Sequence, residues 1–224
     1  MGLDAQAYVP VGQGGVPLDP ADARVVSCAA RLFLERGIAN VKMTEIAEAA
    51  GVGVATIYRH FLTKTGVAVE VALFLWGCFG ESLRSLMGSA PFAAMSGAQR
   101  LEALFGEYCS TYVYHADFVA FVDEFDHLLL TEEASAEALQ RYGTLLDSFY
   151  AIFEDAYRLG LSDGSVTRGV DFPVFYRAVA HALMGVAAKL GRGEVIPSDD
   201  FSSDKGAAEL SCIVGMAISA LSAT

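Results

Sequence analysis

Three groups of residues have types and spacings that could do chemistry. The first is Glu124-Phe125-Asp126-His127, whose Glu-x-x-His spacing is half of the di-iron motif of helical bundles. An iron pair needs a second copy, and the residues three before His60, His115 and His181 are Ile57, Tyr112 and Ala178. Phe118, Phe121, Val122, Phe125 and Leu129 define the buried face of that segment, which predicts a solvated side for Asp123, Glu124, Asp126 and His127. Asp117, Asp123 and His115 form a weaker candidate for a metal or a cationic effector. Cys109 and His115 differ by six residues, a helical offset of roughly 120°, so they do not make a nucleophile pair. There is no Gly-x-Ser-x-Gly elbow, no phosphate-cradling Gly loop and no His-Glu-x-x-His. The expectation is a non-enzyme with no cofactor.

The second group lies on one face of a helix expected over 97–115. Leu101, Leu104, Phe105, Tyr108, Tyr112 and His115 fall within an arc of about 100°, so an otherwise apolar face carries two phenols and an imidazole. Buried polar groups need partners, which a small molecule or hydrogen bonding within the core could supply. With Trp76, Phe79 and Leu83 before it, and Phe149, Phe153, Tyr176 and Met184 after it, this face could line an aromatic effector pocket. The third group is Val54, Ala55, Thr56, Tyr58, Arg59 and His60, left outward when Ile57 and Phe61 turn inward with Val52 and Ile46. Arg59 is the member able to pair bidentately with guanine, worth roughly 1–3 kcal/mol of discrimination. A phosphate is its equally weighted other target, and the alternative for Tyr58 is a half-buried core ring.

Positioning these groups takes helices. Residues 1–18 are Gly-rich without helical period and read as a disordered arm. Asp19-Pro20 starts a first helix that ends at Gly37. Thr44 caps a short second helix closed by Gly51, and Gly51-Val52-Gly53-Val54 turns into a third at 55–61. Long helices follow at about 65–88, 97–115, 117–130, 133–160, 171–191 and 204–222. The fold class is all-α: a three-helix N-terminal helix-turn-helix domain at 19–64, then a bundle of about six helices at 65–224.

The chain has 224 residues, 54% hydrophobic, with a formal net charge of −12. That composition is too apolar for a disordered chain. The most apolar windows, 67–80 and 207–221, read as too short to span a bilayer, and residues 1–18 lack the basic start and apolar run of a secretory leader. Cys28, Cys78, Cys109 and Cys212 show no metal-type pairing and read as buried thiols of a reducing, cytoplasmic compartment. Residues 1–70 hold six basic side chains against seven acidic, whereas 71–224 hold nine against twenty. The body therefore repels nucleic acid, and any DNA contact rests on the small basic edge between Lys42 and Lys64.

Residues 44–64 resemble the signature of TetR-family transcriptional repressors at Thr44, Ile46, Ala47, Ala50, Gly51, Val52, Thr56, Tyr58, His60, Phe61 and Lys64. The resemblance implies double-stranded DNA as partner, with Thr44, Tyr58, His60 and Lys64 on phosphates and Val54, Ala55, Thr56 and Arg59 facing bases. It also implies a homodimer and an effector of unknown structure bound in the body, while the short apolar windows lead to no expected membrane association. Two departures stand out: Gly53 where Ser is usual, and acidic Asp19 and Asp22 where many members carry a basic arm. Helix 204–222 is apolar or small nearly all round, and 171–191 is similar. Val179, Leu183, Val186, Leu190, Leu210, Ile213, Val214, Ala217, Ile218 and Leu221 are the candidate dimer residues, with the faces that meet left open. The alternative is a helical ligand- or metal-binding protein whose helix-turn-helix does not function.

Overall fold

A computed structural model describes residues 18–192 and 203–222. The expected disordered arm lies, apart from Leu18, outside the described residues. Among those described there are ten helices and no strand. They are α1 Pro20–Arg36, α2 Met43–Ala50, α3 Val54–Phe61, α4 Lys64–Met87, α5 Ala90–Ala93, α6 Gly97–Tyr114, α7 Ala116–Thr131, α8 Ala136–Asp163, α9 Phe172–Gly191 and α10 Ser203–Ser222. The short α5 lies between the helices expected at 65–88 and 97–115; Ser89 accepts from Phe92 N–H and Pro91 needs no donor in a first turn, so one turn forms there.

The described chain divides into two compact units. One holds residues 18–79 and 120–146; the other holds 80–119, 147–192 and 203–222. Helices α4, α7 and α8 each have residues in both. Packing therefore groups residues differently from the chain-order division into 19–64 and 65–224, which is a proposal about function.

In the first unit, Val25, Val26, Ala29, Ala30 and Phe33 of α1 are buried together with Ile38, Ile46 and Ile57. Phe33 stacks with Phe121, and Phe121 with Phe125, at centroid separations of 6.4 and 5.8 Å. Arg141 grips the Glu70 carboxylate with two hydrogen bonds of 2.6 and 3.0 Å, a bidentate and half-buried pair. Trp76 Nε1 donates to the Tyr142 hydroxyl at 3.1 Å, and burial pushes the Tyr142 phenol up.

The second unit packs α10 on α6 and α9. The start of α6 is doubly capped. Ser96 and Gln99 exchange bonds as a capping box, while Asp163 accepts from Gly97 N–H at 2.8 Å and Ser165 Oγ accepts from Ala98 N–H at 3.0 Å. Leu221 C=O accepts from Thr167 and Arg168, both at 3.0 Å, which ties the end of α10 to the α8–α9 connection.

Two sequence expectations need correction. By length and composition α4 and α10 could each cross a membrane, so the apolar windows are longer than 67–80 and 207–221 suggested. For α4, 72% of the qualifying stretch is buried, as in the core helix of a soluble protein; for α10 the share is 22%. The cysteines are also not uniformly buried: Cys78 and Cys109 are, Cys28 is half-buried and Cys212 is exposed.

Candidate nucleic-acid interface

The turn between α2 and α3 is set by Gly51, which sits in the left-handed region at φ 66°, ψ 36°, a conformation Gly enters without steric penalty. Gly53 is the extended residue before α3, and the first turn of α3 closes on its carbonyl. The start of α2 departs from expectation. The residue before the helix is Lys42, not Thr44; Glu45 reaches back to accept from Lys42 N–H at 2.8 Å. That bond, and then Arg36 at 2.8 Å, hold the Glu45 carboxyl below the usual carboxylate value. Thr44 is one residue inside the helix with its side chain exposed.

Helix α3 is anchored from beneath by Ile57, buried against α1 and α2 along with Ile46. Val52 and Phe61 are half-buried rather than fully inside, since a helix of two turns covers little area. Ala55, Tyr58, Arg59 and His60 are exposed and Val54 and Thr56 half-exposed. Tyr58, at 48% exposure, is not a core ring. Small side chains at the N-terminal end followed by Tyr and Arg match what a recognition helix brings to a major groove. Helix α3 ends abruptly: Thr63 N–H donates to Phe61 C=O at 2.7 Å across Leu62, whose φ is 63° and ψ −51°. This is the strained form of γ-turn, and Leu62 is 70% exposed beyond it.

The structure gives two of the expected phosphate ligands other partners. Lys64 Nζ donates to the carbonyls of Ile38, Ala39 and Val41 at 2.8, 3.3 and 3.3 Å. An ammonium bound to three acceptors near the α1–α2 connector is a structural clamp, which its place at the end of the motif did not reveal. His60 Nδ1 lies 2.7 Å from Asp22 Oδ1 on α1. Sequence reasoning also missed Glu124. Its carboxylate leaves the solvated side of α7 to accept from Ile38 N–H at 2.7 Å and Ala39 N–H at 2.6 Å. Gly37, at φ 79°, makes room for it: a Cβ there would stand 2.9 Å from Glu124 Oε2. A Gly between two helices was the available signal. What binds beside it needed coordinates.

Residues 25–71 match the family described as bacterial regulatory proteins, tetR family. The HTH-type transcriptional repressor KstR2 of Rhodococcus jostii is 27% identical over 155 residues, which cover 68% of this chain and 71% of that protein. Its N-terminal segment, residues 25–71, is of the TetR family. Two solved structures show how far the likeness of fold extends over the rest of the chain. The fatty acid degradation regulator FadR of Bacillus halodurans has a TM-score of 0.65 at 17% identity, over 91% of this chain and 97% of that one. The ketosteroid transcriptional regulator KstR2 of Mycobacterium tuberculosis has a TM-score of 0.57 at 18% identity, over 92% and 97%.

The candidate effector residues of this regulator do not all fall in one unit. Trp76 and Phe79 are buried in the unit that holds the helix-turn-helix, ring edge to ring face at 5.7 Å. Leu83, Phe105, Tyr108, Tyr112, His115, Phe149, Phe153, Tyr176 and Met184 belong to the other. There Phe105, Tyr108, Phe153 and Tyr176 form a cluster, with Phe105–Phe153 at 4.7 Å and Phe153–Tyr176 at 5.1 Å. The Tyr108 and Tyr176 hydroxyls share a hydrogen bond of 3.0 Å, so the core supplies a polar partner for that face. Burial pushes the Tyr176 phenol up and holds His115 below the usual histidine value, against the opposing pull of Asp117. Among the described residues no group of three or more His, Cys, Asp and Glu could hold a metal ion.

The candidate dimer residues need re-sorting. Val179, Leu183, Leu210, Val214 and Leu221 are buried within the chain itself and have no area left for a partner. Val186, Leu190, Ile213, Ala217 and Ile218 are half-exposed. Exposed positions of the two helices include Ala178, His181, Ala182 and Gly185 on α9 and Ala208, Cys212, Met216 and Ser219 on α10.

Proposed function

We propose that this regulator is a homodimeric repressor that binds a palindromic operator and is released by a small-molecule effector. The observation that carries the reading is α3 itself: Val54, Ala55, Thr56, Tyr58 and Arg59 stand toward solvent over the buried Ile57, within the span that matches the family. Val54, Ala55, Thr56 and Arg59 face bases; Thr44 and Tyr58 hold phosphates. The protein works in the cytoplasm, where its DNA is.

A second copy covers the exposed strips of α9 and α10. Only 22% of the apolar stretch of α10 is buried, and Met216 is 62% exposed. Ala178, Ala182 and Gly185 recur at helical spacing, as do Ala208, Cys212 and Ser219, so the backbones of two copies can approach closely. The effector binds among Phe105, Tyr108, Tyr112, Phe153 and Tyr176. Their rings with phenolic tips suit a largely apolar molecule with one polar group. Two similar proteins carry names that refer to fatty acid degradation and to a ketosteroid.

The test is a gel shift with the DNA upstream of the protein's own gene, repeated with Arg59→Ala and Tyr58→Phe. Weaker binding is expected from both, with Arg59→Ala losing sequence preference as well. Undiminished binding by both variants would overturn the assignment of α3.

A further inference from the structure

Asp22 lies in the first turn of α1, outside the helix-turn-helix signature, yet it reaches the outward face of α3. His60 Nδ1 is 2.7 Å from Asp22 Oδ1 and 2.9 Å from Oδ2, and His60 Nε2 is 3.2 Å from Arg59 Nη2. The direction of this chain follows from the donors available. A guanidinium has no acceptor, so Nε2 must accept from Arg59, and the ring proton sits on Nδ1, donated to the carboxylate. The His60 and Asp22 side chains are 31% and 19% exposed, which makes this more confined than a free surface pair.

We propose that Asp22 is a positioning residue for sequence reading: it fixes the His60 tautomer, and His60 in turn holds the Arg59 guanidinium in place before DNA arrives. This rests on the operator-binding reading of α3 and deepens it. A long, rotamer-rich side chain loses freedom when it grips a base, and holding it beforehand lowers that cost. Asp22 also adds a negative charge next to a surface that must approach phosphates. By charge alone it weakens binding to every duplex; as an orienting acceptor it strengthens only the duplex whose base Arg59 reads. The two roles have opposite signs and can be separated.

The experiment begins with the duplex consensus that the full-length protein selects from a randomised pool. Affinities are then measured for that duplex and for one with each guanine replaced in turn. Asp22→Ala is expected to bind the replaced duplexes as well as or better than wild type. Its ratio between consensus and replaced duplex should fall about three- to tenfold, the size expected for freeing one rotamer-rich side chain. Asp22→Asn keeps an acceptor for Nδ1–H without the charge and should restore the ratio. In an Arg59→Ala background, Asp22→Ala should leave the ratio unchanged. Nitrogen-15 shifts of the free protein should show His60 protonated on Nδ1. An unaltered ratio in Asp22→Ala, an Asp22→Asn variant as poor as Asp22→Ala, or a proton on Nε2 overturns the role of Asp22. A wild-type protein that selects no consensus overturns the operator reading instead.

Discussion

Replacing Glu124 tests whether one carboxylate of α7 holds the connector between α1 and α2. Its two oxygens accept from Ile38 N–H and Ala39 N–H at 2.7 and 2.6 Å. Hydrogen bonds to a charged group contribute about 1.5–3 kcal/mol each, and the half-buried position argues for the low end. Glu124→Ala removes both and leaves the part-buried Ile38 amide without this acceptor, so a loss of about 3 kcal/mol is expected. Glu124→Gln keeps one acceptor and turns an amide donor toward the second N–H, for a loss of about 2 kcal/mol. Urea unfolding measures the totals, and amide exchange at Ile38 and Ala39 shows whether the loss is local. Operator affinity should fall too, since α2 starts only a few residues beyond. A Glu124→Ala protein within about 0.5 kcal/mol of wild type, with both amides still protected, would refute the reasoning.

Other substitutions and conditions test separate parts of the structure. Leu62→Gly should stabilise by about 1 kcal/mol in urea titration, because it relieves the positive φ and gives up no buried side chain. Alkylation under native conditions should reach Cys212 first and Cys109 last, since burial pushes the Cys109 thiol up to about 11; protection of Cys212 as concentration rises would mark the dimer contact. His115 takes up a proton less readily folded than unfolded, so its contribution is intact above about pH 6.5 and declines as pH falls through that value. Melting curves should show that acid-side loss shrink in His115→Gln. With Lys64 bound to backbone and Asp22 at the interface, log K against log salt should have a shallower slope than about eight phosphate contacts would produce.

Periodicity made most of the helices legible, because each apolar stripe had to be buried and each end carried a Gly, Pro or capping signal. Helix α3 was legible to within one residue at its start, with Ile57 inside and Tyr58 and Arg59 outside, although Phe61 is only half-buried. What escaped were contacts between polar groups distant in sequence. Glu124 sits on the polar side of its helix, and nothing local shows that two unpaired amides of another segment lie within reach. Lys64 and His60 matched motif positions, yet the former binds carbonyls and the latter Asp22. The candidate dimer residues divide into buried and half-exposed sets for a related reason: a stripe of Leu and Val announces burial but not which molecule provides it. On α10 Leu210, Val214 and Leu221 turn inward, while Ala208, Cys212, Met216 and Ser219 remain on the surface.

The Glu124 clamp has a consequence for anyone wishing to borrow the reading head. Residues 19–64 form a contiguous stretch that invites excision, but the loop joining their first two helices is completed by a side chain sixty residues further along the sequence from Lys64. Phe33 likewise stacks on Phe121 rather than on a neighbour from its own segment. A graft of that stretch onto a foreign body would lack both supports. A chimaera that retains α7 alongside it keeps the seat on which the borrowed piece rests.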